Sequence, residues 1–264
     1  MTCGFSQNRS WKEVKEHINS STISLSEEEK DVHFAILEYL MFAAVDSMKN
    51  EGRFMQALET IDSIQANCKY MTGRELSTRM YETKVNILLS LEEYGEVVKT
   101  TEECLSVHKS DIDDRAAAYM YSQQGNAHIV LKEYLEAIRS KENSLYYHTK
   151  TGDIGSQGAT LCSMAYCYSE LGKYTTAFSF YEKGINKFLD YFETSRSVLL
   201  RSDFSVKDPY NQNLLDMFAM NLFYFAVLEQ DHGSKLDSKN YLLMSAHCGY
   251  AKAKSEYQRI YGDR

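Results

Sequence analysis

The fold is decided by residues 161–181, which read LCSMAYCYSELGKYTTAFSFY. Leu161, Ala165 and Tyr168 are four and three residues apart, a spacing that places side chains on one face of an α-helix. A short turn around Gly172 follows, after which the same spacing of apolar residues resumes. The stretch therefore predicts two consecutive amphipathic helices joined by a tight turn.

The same pattern occurs four times along the chain at a constant distance. In each copy an aromatic residue is followed three residues later by a small or β-branched one: Phe54/Ala57, Tyr94/Val97, Tyr134/Ala137 and Tyr174/Ala177. The aromatic residues are spaced by 40 residues. A fixed period of this length is the signature of stacked supersecondary units, so the sequence predicts an array of helix pairs.

The composition also favours long helices. The 264 residues include 1 proline and 13 glycines, whereas average usage would give about 13 prolines. Proline breaks a helix at a cost of about 3 kcal/mol, so its scarcity fits uninterrupted helices. Hydrophobic residues make up 44% of the chain and charged residues 25%, a balance typical of folded proteins. The scarcity of proline and glycine argues against collagen, low-complexity linkers and turn-rich β-sandwiches.

Charge and hydropathy argue against two kinds of partner. The chain has 29 basic and 37 acidic residues, for a net charge of −8, and the basic residues are scattered. Such a chain lacks the electrostatic attraction to a phosphate backbone on which nucleic-acid binding depends. No apolar run approaches the roughly 18 residues of a membrane helix. We therefore predict no nucleic-acid partner and no integral membrane span.

The sequence contains no recognisable catalytic or metal-binding constellation. Patterns for nucleophilic serine hydrolases, zinc proteases, phosphate-binding loops and calcium loops are absent. The six cysteines form no C-x2-C pair. Cys162 and Cys167 would lie about 140° apart around a helix, so they could not readily share a metal ion. The expectation is a protein that is not an enzyme, with no metal site and no cofactor.

The N-terminus leaves two localisations open. No signal peptide is visible, which favours the cytoplasm. Cys3 is followed by a polar stretch, as in a mature bacterial lipoprotein after its apolar leader has been removed. If a leader preceding Cys3 is missing from the sequence, the protein would belong to the bacterial envelope.

The repeated pattern resembles the tetratricopeptide repeat (TPR), whose two antiparallel helices carry W-x2-L-G-x2-Y, then A-x3-F and a closing proline. The best copies are residues 121–138 and 161–181, and the resemblance covers roughly residues 31–193. The period is 40 residues rather than 34, and the closing proline is replaced by Lys69, Lys109, Thr149 and Leu189. The resemblance implies an all-α fold, a right-handed α-solenoid of antiparallel helix pairs forming a TPR-like superhelix.

The resemblance and the helix start and stop signals divide the chain into three parts. Residues 1–25 are predicted to be an N-terminal segment with a short capping helix. Residues 26–201 are predicted to hold four TPR-like repeats, at about 31–70, 73–110, 113–150 and 153–193. Residues 208–264 would form a fifth, degenerate TPR/Sel1-like helix pair and a C-terminal capping helix. The Sel1-like resemblance rests on the spacing of Ser238, Leu242, Ala246, Gly249 and Ala253.

The resemblance implies that the first helix of each pair lines a concave groove, and this groove is the predicted binding site. The candidate ligand-binding residues are those on this face that the repeat signature does not use: Tyr39, Phe42, Asp46, Arg79, Glu82, Asn86, Tyr119, Gln123, Asn126, Tyr166, Glu170 and Phe223. Tyrosine supplies contact area and amides bond a peptide backbone, so the mixture suits a peptide. The alternative is that these residues only solvate the groove or pack against the next repeat.

These observations support three hypotheses for the function. The first is a non-enzymatic scaffold that binds a protein or peptide in the groove. The second is a peptide-sensing regulatory protein acting in trans, and the third is a lipid-anchored bacterial envelope protein. A C-terminal carboxylate is not the expected ligand, because Arg79 is the one clear cation among the inner positions of the first helices. The apolar helix from Leu214 to Leu228 could serve as a homodimer interface.

Overall fold

The computed structural model describes residues 26–72, 77–201 and 212–262. In these ranges every regular element is a helix, as the sequence predicts. The N-terminal segment at 1–25, with its capping helix and Cys3, lies outside the described residues. The beginning of the third predicted part, at residue 208, also lies outside them.

The chain divides into two compact units, Met1–Glu92 and Glu93–Arg264, which are called the N-terminal unit and the C-terminal unit. The division falls inside the second predicted repeat, at 73–110, rather than between two repeats. The repeat boundaries drawn from the sequence stay predictions.

In its described residues the N-terminal unit consists of three helices: α1 (Glu27–Asn50), α2 (Phe54–Thr72) and α3 (Thr78–Ser90). Helix α1 packs against α2, and α2 packs against α3. The side chains buried in this unit include Val45, Ala57, Ile61, Tyr81 and Val85. Ala57 and Ile61 on α2, and Tyr81 and Val85 on α3, are four residues apart, so one face of each of these two helices is buried.

The C-terminal unit contains the remaining helices of the described residues. They are α4 (Tyr94–Val107), α5 (Asp114–Val130), α6 (Tyr134–Lys150), α7 (Ile154–Glu170), α8 (Tyr174–Tyr191), α9 (Arg196–Leu199), α10 (Gln212–His232), α11 (Lys235–His247) and α12 (Ala251–Tyr261). Each of α4 to α7 packs against the next, and the short α9 contacts α11. Helix α10 contacts both α7 and α8 and pairs with α11, and α12 packs on α11. The Sel1-like character of the α10–α11 pair stays a prediction.

The turn before each of α2, α4, α6 and α8 uses one residue in the left-handed backbone region. The residues and their φ angles are Gly52 (74°), Glu92 (59°), Lys132 (61°) and Gly172 (72°). After Gly172, the Lys173 N–H donates to the Tyr168 carbonyl at 2.9 Å, which is the 6→1 bond of a Schellman turn. The aromatic residue two positions after each turn residue is the first residue of the next helix.

Aromatic side chains form the core that joins α8 to α10 and α11. Phe225 is fully buried and stacks on Tyr181 with 5.0 Å between ring centroids, and the Tyr241 ring lies 4.5 Å from it. Phe188 stacks on Phe218 at 4.9 Å. Such pairs add about 0.5–1.5 kcal/mol beyond the burial of their area. This core fixes α10 beside the repeats.

Helices α7 and α8 approach closely at Gly158 and Gly184. A Cβ atom at position 184 would lie 2.5 Å from Cys162 Sγ and 2.9 Å from the Gly158 carbonyl oxygen. We predict that Gly184→Ala lowers the free energy of unfolding by about 1–3 kcal/mol, the usual cost of overpacking. Gly95→Ala is the matched control, because a Cβ there meets nothing within 4 Å and alanine favours the helix. Urea unfolding followed by circular dichroism measures both, and equal stability of the two variants would contradict the close approach.

Helix α10 contains the segment in which the sequence suggests a homodimer interface. Its buried residues include Phe218, Leu222 and Phe225. Among its large hydrophobic side chains, only Met217, Tyr224 and Val227 are notably exposed. Packing within the chain therefore accounts for most of its apolar character, and the homodimer stays a prediction.

Candidate functional site

A cavity of about 740 Å³ lies in the C-terminal unit between α5, α6, α7 and the beginning of α10. One face of α5, one face of α7 and the turn that connects α6 to α7 contribute most of its walls. Its volume is within the range of roughly 300–1,000 Å³ that is usual for ligand pockets. This cavity is the candidate functional site.

Helix α5 forms one wall of the cavity. Its first turn is fixed by Asp113, whose carboxylate accepts hydrogen bonds from the backbone N–H groups of Arg115 and Ala116, both at 2.9 Å. Counting from that start, the residues at 119, 122, 123 and 126 share one face, because helix neighbours recur every three or four residues. The candidates Tyr119, Gln123 and Asn126 all line the cavity.

The amide groups of this wall are connected to one another and to the floor. Asn126 Nδ2 donates to Gln123 Oε1 at 3.2 Å, and Asn126 Oδ1 accepts from Lys141 Nζ at 2.7 Å. Asn126 is nevertheless exposed and Gln123 is half-buried. Both side chains thus stand at the edge of the cavity, with amide groups available to a ligand backbone.

Lys141 of α6 contributes a buried amine to the floor of the cavity. Its side chain is 2% exposed, and Nζ donates to the Ser122 carbonyl at 3.0 Å as well as to Asn126. A third contact, to Ser122 Oγ, is long at 3.4 Å. Burial lowers the pKa of Lys141 from 10.5 to about 8. The amine is therefore still mostly protonated at pH 7.

The α6–α7 turn supplies the carboxylate of the cavity. Asp153 lies at the start of α7, where its Oδ1 accepts from the Ser156 backbone N–H at 3.0 Å, and its Oδ2 lies 3.7 Å from His148 Nδ1. Burial lowers the pKa of His148 below 6.5, against the opposing effect of Asp153. The formal charges that line the cavity at pH 7 are thus those of Arg115, Lys141 and Asp153, which amount to +1.

Two further candidates, Tyr166 and Glu170, lie on α7 but outside the cavity wall, in an aromatic cluster with residues of α6 and α10. The Tyr166 ring lies 6.4 Å from that of Tyr134 and 5.8 Å from that of Tyr224. Tyr134 donates its hydroxyl proton to Glu170 Oε2 at 3.1 Å. Desolvation, which is the larger effect, and this hydrogen bond together raise the pKa of Tyr134 to about 12.

Phe223 has no place on a binding surface. It is 5% exposed and belongs to the core of the C-terminal unit, where its ring packs against Tyr250 at 5.4 Å. The register assigned from the sequence fails here because α10 is apolar around most of its circumference and is packed on several sides. An amphipathic pattern, which would have oriented the helix, is therefore lacking.

The N-terminal unit carries the other candidates on α1 and α3. Tyr39 is 73% exposed, and the Arg79 guanidinium lies 4.4 Å from the centre of the Phe42 ring. Asp46 forms an exposed ion pair with Lys49 at 3.6 Å. The last two candidates of this unit, Glu82 and Asn86, lie on α3.

Sequence reasoning missed Lys141, although a signal for it existed. The repeat signature A-x3-F places a bulky residue four positions after the small residue of the second helix. The four copies have Ile61, Thr101, Lys141 and Tyr181 at this position, and each of these residues is at most 2% exposed. One copy thus puts a cation at a position that the fold buries.

The described residues contain no group of three or more histidine, cysteine, aspartate or glutamate side chains that could hold a metal ion. Cys104, Cys162, Cys167 and Cys248 are free and buried. Within the described ranges, no helix combines the length and the apolar character that crossing a membrane requires.

Comparison with known proteins shows similarity of structure alone. No family model matches the chain, and no curated protein matches its sequence. The crystal structure of MamA is 12% identical with a TM-score of 0.53, covering 83% of this chain and 96% of that one. Nearly identical TPR-like repeats of a kinesin light chain from Podosopora anserina are 13% identical with a TM-score of 0.57, covering 84% and 98%.

These similarities establish the fold. The chain has the all-α, TPR-like solenoid fold that the repeat pattern predicts. At 12–13% identity they define the fold and not the ligand.

Proposed function

We propose that the protein is a non-enzymatic scaffold that binds a peptide, or a peptide segment of a protein partner, in the cavity of the C-terminal unit. The observation that carries the proposal is the convergence of Tyr119, Gln123 and Asn126 on one cavity wall. An aromatic ring beside two amides offers apolar contact together with hydrogen bonds to a peptide backbone.

The chemistry of the cavity favours recognition over catalysis. Its carboxylate, Asp153, is engaged by the Ser156 backbone and lies beside His148. Lys141 Nζ lies 3.4 Å from the Ser122 hydroxyl, which is longer than the contact a general base makes, and at pH 7 the amine is mostly protonated and cannot accept the hydroxyl proton. A peptide-sensing regulatory protein acting in trans would bind its peptide in the same cavity. It would differ from a scaffold in that peptide binding changes its action on another molecule.

The candidates of the N-terminal unit form a second proposed surface. Tyr39 and the Phe42–Arg79 pair present aromatic and cationic groups on α1 and α3. Aromatic residues and arginine are over-represented at protein interfaces. This surface is proposed for a partner on its own and does not extend the cavity.

Substitution of the cavity wall tests the proposal. The full chain is used to select ligands from a library of random hexapeptides, and binding of the selected peptides is measured by calorimetry. The double substitution Tyr119→Ala and Asn126→Ala is expected to weaken binding about 10- to 100-fold, because loss of a tyrosine contact to a partner can by itself cost about 2 kcal/mol or more.

Tyr146→Ala is the matched control, because Tyr146 is 62% exposed on α6 and does not line the cavity. It should bind like the unchanged protein. If the double variant is folded by circular dichroism and retains full affinity, the cavity is not the binding site.

A further inference from the structure

Lys141 is a buried cation whose charge has no carboxylate to balance it among the described residues. Its hydrogen-bond acceptors are the Ser122 carbonyl, the Asn126 side-chain oxygen and, at a longer distance, the Ser122 hydroxyl. All are neutral. Buried charges in proteins are usually paired. Among the described residues the Lys141 ammonium forms no ion pair, and its third N–H makes only the long contact to the Ser122 hydroxyl.

A glycine on the neighbouring helix leaves space for the Lys141 side chain. A Cβ atom at Gly125 would lie 2.9 Å from Lys141 Cε, so the absence of a side chain at Gly125 lets the lysine stem cross the face of α5. Ser140 and Ser144, on either side of this stem along α6, bond to Gln124 at 2.9 Å and to the Ala118 carbonyl at 3.2 Å. These bonds fix α6 against α5 and hold the amine at the cavity floor.

The charge of the cavity differs in sign from that of the chain. The lining residues carry a net +1, from Arg115 and Lys141 against Asp153, whereas the whole chain carries −8. A single negative charge would neutralise the cavity. A doubly charged phosphate monoester would leave it negative, and the cavity has only one guanidinium, at an exposed position, with which to grip one. The balance favours a monoanion.

We propose that the cavity recognises a carboxylate of the bound peptide, and that this carboxylate accepts a hydrogen bond from Lys141 Nζ. The inference rests on the proposed peptide-binding function and names the chemistry that the peptide carries. A carboxylate replaces the weak contact to Ser122 Oγ and supplies the counter-charge that the described residues do not place beside the amine. An aspartate or glutamate side chain and a free C-terminus share this chemistry.

The proposal departs from the expectation drawn from the first helices of the repeats. That expectation disfavours a C-terminal carboxylate, because those helices lack the cations of a clamp. Lys141 lies on a second helix, at a position that the repeat signature gives to a core residue, so the expectation does not extend to it.

The test uses affinity selection from a synthetic library of random N-acetylated hexapeptides, half with a free C-terminus and half amidated. The full chain is compared with Lys141→Met and with Lys150→Met. Lys150 is the matched control, since it lies on the same helix but pairs with Asp114 outside the cavity. Retained peptides are identified by mass spectrometry and resynthesised with each carboxylate replaced by an amide.

We expect the unchanged protein to retain peptides that carry a carboxylate, and one amide replacement to weaken binding about 10- to 100-fold. Lys141→Met should lose this discrimination and Lys150→Met should keep it. If only amidation of the C-terminus weakens binding, the recognised group is the terminal carboxylate. If replacement of Asp by Asn or of Glu by Gln weakens binding, the recognised group is an acidic side chain. Either dependence supports the proposal.

Retained peptides without carboxylate dependence would overturn the inference and leave the proposed function standing. Retention of no peptide by any variant would overturn both. Undiminished discrimination by Lys141→Met would also overturn the inference.

If Lys141→Met does not fold, the unchanged protein is measured at pH 7 and pH 9.5. Deprotonation of the amine should then weaken binding of the acetylated carboxylate peptide about fivefold or more, while a constant affinity would contradict the proposal. The other titratable and charged groups around the cavity are Cys167 of α7, His148 of α6, Tyr119 and Arg115 of α5, and Asp153. The same measurement on Tyr119→Phe separates the phenol from the amine. Burial raises the pKa of Cys167 to about 11, and His148 is already neutral at pH 7, so Lys141 dominates the change.

Discussion

Replacing Lys141 by methionine is expected to stabilise the protein at pH 7 by about 1–3 kcal/mol. The pKa of the amine is lowered from 10.5 to about 8 by burial, and at about 1.4 kcal/mol per pKa unit the buried charge costs roughly 3 kcal/mol. Loss of the hydrogen bonds to Ser122 and Asn126 offsets part of the gain, by about 1 kcal/mol. Methionine has a similar length and no charge, so it can occupy the same channel beside Gly125.

The sign of the pH dependence follows from the lowered pKa. Below about pH 8 the amine is protonated in both states, so the unfavourable burial is fully present. Between about pH 8 and 10.5 the unfolded chain binds more protons than the folded one, and stability rises with pH. The advantage of Lys141→Met should therefore shrink across this range. Tyrosines with raised pKa values, such as Tyr134, titrate in both proteins and cancel in the difference.

Urea unfolding of the two proteins at pH 7.5, 9 and 10, followed by circular dichroism, measures this difference. Lys150→Met is the control, and its stability should change little because the exposed Lys150–Asp114 pair is solvated. If Lys141→Met is less stable than the unchanged protein at pH 7.5, the amine is held as a structural group and its charge carries no net cost.

Removing the ring of Phe225 is expected to lower the free energy of unfolding by about 3–5 kcal/mol, the usual loss for a buried phenylalanine. Phe225 is fully buried between Tyr181 of α8 and Tyr241 of α11. An alanine leaves a cavity that these large rings cannot readily fill, because their own positions are fixed. Tyr241, for example, donates its hydroxyl to Glu182 Oε1 at 2.7 Å.

Leu236→Ala is the matched control for Phe225→Ala, since Leu236 is 67% exposed on α11. Its effect should stay within about 0.5 kcal/mol. Thermal and urea unfolding measure both variants. A loss below about 1 kcal/mol for Phe225→Ala would mean that α10 and α11 are not packed against α8 through this aromatic core.

Local sequence signals were sufficient for the fold. The aromatic residues at 54, 94, 134 and 174 begin helices because a left-handed turn residue precedes each by two positions. The small residues three positions later, such as Ala137 and Ala177, are fully buried. These features depend on helix periodicity and turn chemistry within about twenty residues, which a single sequence displays directly.

The candidate site could be predicted only in part. Tyr119, Gln123 and Asn126 line the cavity because they share a face of one helix, which periodicity reveals. Lys141 and Met217 contribute through the packing of α6 and α10, and tertiary packing is not encoded in local spacing. Phe223 was misassigned for the same reason, since the partners of an all-round apolar helix determine which side is covered.

The stability cost at Lys141 and the proposed carboxylate recognition are two consequences of one arrangement. Active and binding sites are where proteins retain groups that destabilise the free state. A peptide carboxylate would restore the balance of charge at the cavity floor, so ligand binding and folding stability are linked through this amine.

The most direct measurement of the central claim is photo-crosslinking of a selected hexapeptide that carries one benzoyl-phenylalanine, followed by mass-spectrometric mapping on the full chain. The account predicts that crosslinks concentrate at residues 115–126 and 151–163, which contribute most of the cavity wall, and that excess unlabelled peptide removes them. Crosslinks that excess unlabelled peptide removes, but that all lie outside the cavity and outside these two stretches, would contradict the proposed binding site.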